Sequence, residues 1–374
     1  MRALIRVGSR PQMTDALVTP GIEGLRPYQG GKPIEELARE RGLTDIVKLA
    51  SNENPFGPSP RAILAAVQAL GSTHRYPDGS GHRLREAIAE FHGVSLAEVI
   101  HGNGSNEILE LLVRTFTTPG HHIVFGRPAF SMYPVIATAH NVDFTAVPTT
   151  GDLVHDLGKM REAVQGTTRL IIIDNPNNPT GTYVSREALT GFLSSLPEHV
   201  VVVLDEAYFE YATAADYPDG LALRHLHPNI VVLRTFSKAY GLAGFRVGYG
   251  IGPARLLDYL HRLRAPFNVG VPSQEAAIGA LKDLGHLKES VLHNARERDR
   301  LERLLARFAR RVYPSQGNFV LADFGRPAPP LYDALLSEGV IVRPIPGLDT
   351  FLRVSVGLTR ETDRLEAALE KVAR

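Results

Sequence analysis

Cysteine is absent from the 374-residue chain. That removes disulfides, thiolate metal ligands and a cysteine nucleophile from consideration, without by itself fixing a compartment. A charge surplus is missing too: 41 Lys and Arg stand against 40 Asp and Glu, a net charge of +1. Binding along a phosphate backbone needs a basic excess, so nucleic acid is not expected as a partner. Nowhere do about 18 apolar residues run together, and the opening "MRALIRVGSRPQMTDALV" holds no uninterrupted apolar stretch of signal-peptide length. No membrane association is expected, and the chain reads as cytoplasmic. Fixed-period repeats, low-complexity segments and a His-Glu-x-x-His helix are also lacking. The 14 histidines are scattered, with His121 and His122 opening an apolar run, so no metal site is expected.

What is present is ordinary globular material, 44% hydrophobic and 22% charged, in a chain long enough at about 150 residues per domain for two or three packed units. Residues 1–50 read as an irregular arm with one short helix, belonging in part to a smaller domain. From there to about 275, helical stretches such as "PRAILAAVQAL" (60–70), "GHRLREAIAEFHG" (81–93) and "SNEILELLVRTF" (105–116) alternate with short β-rich runs. Four of these runs, "HHIVFG", "LIIID" (170–174), "VVVVLD" (200–205) and "IVVLRTFS" (230–237), are apolar on both faces. Buried parallel strands require that pattern, so residues 51–275 predict a large α/β domain on a mainly parallel central sheet flanked by helices. Residues 276–374 change texture and predict a smaller α+β domain. Its long helix carries "RERDRLERLLARFARR", whose interleaved acids point to a solvated face rather than a nucleic-acid contact.

Ligands of open α/β sheets sit at the carboxyl ends of the strands. Three such ends are polar here: "DNPNNPTG", "DEAYFEY" and "TFSKAYGLAGFRVG". Each alone has an ordinary explanation as a cap, turn or surface element. Together they read differently. Lys238, on a Gly-rich turn after a buried run, can have its amine desolvated and its pKa lowered, as Schiff-base formation with an aldehyde demands. Asp205 can keep a heterocyclic nitrogen protonated, while the hydroxyls near Lys238 and Arg246 can hold a phosphate monoester. "HGNGSNEILELL" sets Ser105 and Asn106 at a helix start, whose free N–H groups favour an anion or serve as a plain cap. Lysine, carboxylate and phosphate cup describe a site for pyridoxal 5'-phosphate.

With these residues assembled, the chain resembles the fold-type I pyridoxal-phosphate aminotransferases, and within them the histidinol-phosphate branch. The resemblance spans nearly the whole chain. "LRPYQGGKPIEEL", "KLASNENPFGPSP", "RYPDGSG", "GNGSNEILELL", "RPAFSMY", "DNPNNPTG", "VVLDEAYFEY", "RTFSKAYGLAGFRVGY" and "FLRVSVG" occur in the family's order. It implies Lys238 as Schiff-base lysine and general acid/base, Asp205 on the pyridine nitrogen, and Asn178 and Tyr208 on the ring 3-oxygen. Ser105, Asn106, Thr235, Ser237 and Arg246 would surround the phosphate, and Phe130 would stack on the ring where many relatives carry Tyr. Tyr76 would reach across a homodimer interface to the neighbouring phosphate. For substrate, Arg353 is the implied carboxylate fork. Arg343, Tyr28 and Asn318 are further candidates, Arg343 being also readable as a surface or interface ion pair and Tyr28 equally as arm packing.

The implied reaction exchanges L-histidinol phosphate and 2-oxoglutarate for imidazole acetol-phosphate and L-glutamate, in histidine biosynthesis. An aromatic amino-acid aminotransferase and, further off, a phosphothreonine decarboxylase share the scaffold. A DNA-binding regulator with an aminotransferase-like sensing domain is disfavoured, since the first 50 or so residues hold no winged-helix pattern.

Overall fold

The computed structural model describes residues 18–27 and 30–372. Seven strands form the large sheet: β1 (Val99–Gly102), β2 (His122–Arg127), β3 (Asp143–Pro148), β4 (Thr168–Asp174), β5 (Val201–Asp205), β6 (Ile230–Thr235) and β7 (Gly248–Ile251). Their order is β1-β7-β6-β5-β4-β2-β3. All neighbours run parallel except around β7, which is antiparallel to both β1 and β6. The apolar runs of the sequence lie in the middle of this order, buried on both faces. Ile172, Val203 and Leu233 face the helices Ser105–Phe116 and Ala254–Leu263, while Ile171, Val202 and Val232 face the helix Arg186–Leu193. Burial of this kind, at about 25 cal/mol per Å2 of apolar surface, is the main force fixing the sheet.

A second sheet is antiparallel throughout, in the order β10-β11-β9-β8, from β8 (Arg311–Tyr313), β9 (Phe319–Asp323), β10 (Arg343–Ile345) and β11 (Leu348–Ser355). Val47 and Leu49 from the N-terminal segment pack into its core beside Leu301, Val320, Leu352 and Leu365. The segment therefore ties the second sheet to the cavity described below, because Ala50, Ser51 and Asn52 follow directly.

The charged run of the long helix Leu284–Leu305 and the turn after it keeps a solvated face, with Arg296, Asp299, Arg303 and Arg307 exposed, but two of its charges turn inward. Glu297 and Arg298 are buried. The Glu297 carboxylate accepts from the hydroxyls of Thr359 and Thr362, and Arg298 donates to Tyr211 O and Thr213 Oγ1. Arg300 and Arg307 pair with Asp363, Glu366 and Glu370 of the helix Thr359–Val372. Interleaved charge here serves helix packing. Among the described residues no helix is long and apolar enough to cross a membrane.

Candidate active site

The carboxyl ends of β4, β5 and β6 and the start of the helix Ser105–Phe116 open into one cavity of about 340 Å3. At one end lies an anion cradle. Gly104 precedes the helix with φ +76°, and the first helical N–H groups have no partners within the helix. A Cβ at residue 248 would sit 2.4 Å from the Ser105 nitrogen, so only glycine lets β7 back against this helix start. Arg246 is held in left-handed backbone (φ +53°) and donates from Nη1 to Ser237 Oγ at 3.3 Å and to Ala243 O at 3.1 Å. The Ser237 N–H donates to Thr235 Oγ1 at 3.1 Å. Asn106 Oδ1 is buried beside them without a partner. Helix dipole, hydroxyls and guanidinium converge as a phosphate monoester requires.

Lys238 follows β6 into the cavity. Its Nζ donates to Ser51 O at 3.2 Å and lies 5.7 Å from the centre of the Tyr208 ring. Burial, reinforced by the positive charges of Arg353, Arg246 and Lys48 and opposed by Glu53, lowers its pKa to about 8. A good fraction of the amine is thus neutral near physiological pH, the form that attacks carbonyl carbon.

Asp205 closes β5. Its Oδ2 accepts from the Tyr133 hydroxyl at 2.9 Å, whereas Oδ1 is buried with no partner. Burial, then the nearby charge of Asp174, pushes this carboxyl up to about 7. An N–H cation placed at Oδ1 would reverse that shift by satisfying both the charge and the lone pair. Tyr208 accepts from Asn52 Nδ2 at 3.0 Å, and burial pushes its hydroxyl up to about 12, so it remains a donor.

On the substrate side, Arg343 and Arg353 are direct register partners on β10 and β11, so both side chains leave the same face of the sheet. Arg353 is buried and donates from Nη1 to Asn178 Oδ1 at 2.5 Å and from Nη2 to Ala50 O at 2.8 Å. Arg343, half-buried, donates to Gly30 O at 2.6 Å. Phe130 meets Tyr133 edge to face, with centroids 5.6 Å apart.

All the cofactor residues expected from the sequence except Tyr76 line this cavity, together with Arg343 and Arg353. Tyr76 lies elsewhere, 82% exposed and stacked on Phe267 at 4.7 Å. Asn318 does not reach the cavity. It is buried behind it, where its Nδ2 donates to Asn52 O at 3.0 Å and so supports the Tyr208 partner. Tyr28 lies outside the described residues. Sequence reasoning assigned no role to Asn52, Tyr133 and Asp174, which also line the site. Their signal was available only as polar residues within "SNENPFGPSP", "RPAFSMY" and "DNPNNPTG".

The chain matches the family of class I and II aminotransferases over residues 44–372. It is 50% identical over 366 residues to histidinol-phosphate aminotransferase 2 of Methylococcus capsulatus, spanning 95% of this chain and 98% of that one. The histidinol-phosphate aminotransferase of an Anaeromyxobacter species is 48% identical over 359 residues, spanning 95% and 99%. Among solved structures, the histidinol-phosphate aminotransferase of Sinorhizobium meliloti in complex with pyridoxal-5'-phosphate superposes with a TM-score of 0.89 at 33% identity, covering 97% of this chain and 99% of that one. The chain belongs to the class I and II aminotransferases, built on the fold-type I architecture. Within that family its place is among the histidinol-phosphate aminotransferases.

Proposed function

We propose that the chain is a pyridoxal-phosphate-dependent transaminase that moves an amino group between L-histidinol phosphate and 2-oxoglutarate, giving imidazole acetol-phosphate and L-glutamate, in histidine biosynthesis. The observation that carries this reading is one cavity holding a desolvated lysine, a partnerless buried carboxylate oxygen, an anion cradle and two register-paired arginines. The donor set fits the cofactor group by group: Lys238 for its aldehyde, Asp205 Oδ1 for its ring nitrogen, Asn178 and Tyr208 for its 3-oxygen, and the Arg246 cradle for its phosphate. When bound, the cofactor supplies a carbonyl that captures amines and a ring that withdraws electrons from the bond being broken.

The protein's own part is proton handling and orientation. Lys238 Nζ, with a pKa close to working pH, can take a proton from the substrate carbon and return it elsewhere. Tyr208 donates its hydroxyl hydrogen, and Asp205 holds a proton on the ring nitrogen. Arg343 and Arg353 accept the two anionic partners in turn: a phosphate on one amino donor, a carboxylate on the other. Removing the substrate phosphate should therefore be costly. With histidinol in place of histidinol phosphate, kcat/KM is expected to fall about 10^3-fold or more, because the charge-assisted hydrogen bonds from the arginines to the phosphate are lost. Arg343→Ala is expected to lower kcat/KM for histidinol phosphate about 100-fold and leave histidinol nearly unaffected. Equal losses on both substrates would remove Arg343 from phosphate recognition.

The working form is a homodimer with shared sites. Leu64, Val67 and Leu70 follow helical spacing and are each more than half exposed, next to the loop that carries Tyr76. An apolar row of this sort is normally covered, and a second copy would bring Tyr76 to its neighbour's phosphate cradle. Mixing inactive Lys238→Ala with impaired Tyr76→Ala subunits then creates one complete site per mixed dimer. Activity should recover on mixing; no recovery, with mixed dimers present, refutes the shared site.

A further inference from the structure

Asp205 does not stand alone at the edge of the sheet. Asp174, the last residue of β4, is its direct partner in the parallel register. Two buried carboxylates therefore end adjacent strands side by side, both lining the cavity. Like charges so close in a low dielectric are costly unless a proton or cation sits between them.

Asp174 is firmly oriented. Its Oδ1 accepts from His155 Nε2 at 2.9 Å and its Oδ2 from the Asn178 backbone N–H at 3.0 Å. The His155 side chain is fully enclosed, packed against Gly126, where an added Cβ would lie 2.1 Å from Nδ1. That Nδ1 has no partner. A buried N–H without an acceptor is expensive, so the hydrogen belongs on Nε2, where it points at Asp174 Oδ1.

We propose that Asp174, fixed by His155, is a second positioning carboxylate for the cofactor: its charge helps Asp205 keep the ring nitrogen protonated, and its grip on the Asn178 backbone sets the side chain that faces the 3-oxygen. This rests on the pyridoxal-phosphate reading above. The rise of the Asp205 carboxyl to about 7, with Asp174 as its second cause after burial, shows the same charge at work. Titratable and charged groups surround Asp174 on several sides. Tyr133 and Tyr208 feel its charge and stay protonated, Arg353 donates to the side chain of Asn178, whose backbone N–H donates to Asp174, and Lys238 and Arg246 line the same cavity.

The test uses protein reloaded with pyridoxal phosphate carrying nitrogen-15 in its ring, with the ring signal followed by NMR between about pH 6 and about pH 9. Asp174→Asn keeps the side chain's shape and removes its charge. It should move the signal toward the unprotonated value, equivalent to at least about a tenfold weaker hold on the ring proton, and lower kcat about tenfold with KM for the amino donor unchanged. His155→Gln, which keeps an N–H for Asp174, should perturb the signal less than His155→Phe. The His155 pair carries the same test if Asp174→Asn fails to fold. A ring signal in Asp174→Asn that matches wild type across the range overturns the inference, as does an equal effect of the two His155 variants. Wild-type protein that binds no cofactor through Lys238 would instead overturn the parent reading, and this one with it.

Discussion

Lys238→Ala is expected to abolish turnover, lowering kcat by about 10^4-fold or more, since one side chain serves both as the nucleophile that anchors the cofactor and as the base that moves the proton. Among the described residues the cavity offers no substitute. Around the cavity, Tyr208 is held protonated by burial, Asp205 is assigned to the ring nitrogen, and the arginines have no basic lone pair. The cradle of Ser105, Ser237 and Arg246 is untouched by the substitution, so the variant should still bind the cofactor, without a lysine-bound absorbance band. Loss of activity with the band intact would place the anchoring lysine elsewhere.

Asp205→Asn is the second large effect. The variant is nearly isosteric, and its amide oxygen can still accept from Tyr133. Its amide nitrogen, however, would offer a hydrogen to the ring nitrogen and leave that atom unprotonated, which deprives the ring of its electron-withdrawing charge. A kcat loss on the order of 10^2–10^3-fold is expected, with KM changed little, because the interaction strengthens as charge develops. Stability should move the other way. The folded cofactor-free protein holds the Asp205 proton up to about pH 7, well above an unfolded carboxyl near 4, so this residue costs stability as pH rises through that window. Cofactor-free Asp205→Asn should therefore melt higher than wild type at about pH 8, with the gap closing toward about pH 4. A variant that melts lower at both would attribute its inactivity to folding.

Four of the five parallel strands were legible because burial on both faces writes itself as an unbroken apolar run, as in Leu170–Ile173 and Val200–Leu204, whereas β3, partly exposed at the edge of the sheet, was not. Strand β7 was not legible either. Its sequence, Gly-Tyr-Gly-Ile, has one glycine, Gly248, where the backbone must approach the helix start at Ser105, and another, Gly250, packed against the side chains of Ile100, Ile108 and Leu233, and close approach removes the side chains that would announce a strand. Strand β10 holds Pro344 and only three residues, so its pairing of Arg343 with Arg353 could not be read from local pattern. The residues proposed to hold the cofactor stand at strand ends and in Gly-rich turns, and those positions are local. Asn52, Tyr133 and Asp174 come from three separate segments and act through Tyr208, Asp205 and Asn178. Their roles arise only when the fold brings those segments together. Asn318 shows the converse: a polar residue near a site in sequence order that the packing turns toward the backbone of Asn52.

The most direct measurement is an absorbance titration of the cofactor-loaded protein with L-histidinol phosphate, and separately with phenylalanine, following loss of the lysine-bound band as the cofactor takes up the amino group. The arrangement of Lys238, Arg343 and Arg353 predicts that histidinol phosphate converts the band completely and at far lower concentration than phenylalanine. Phenylalanine converting it at equal or lower concentration would contradict the account and make the site one for aromatic amino acids.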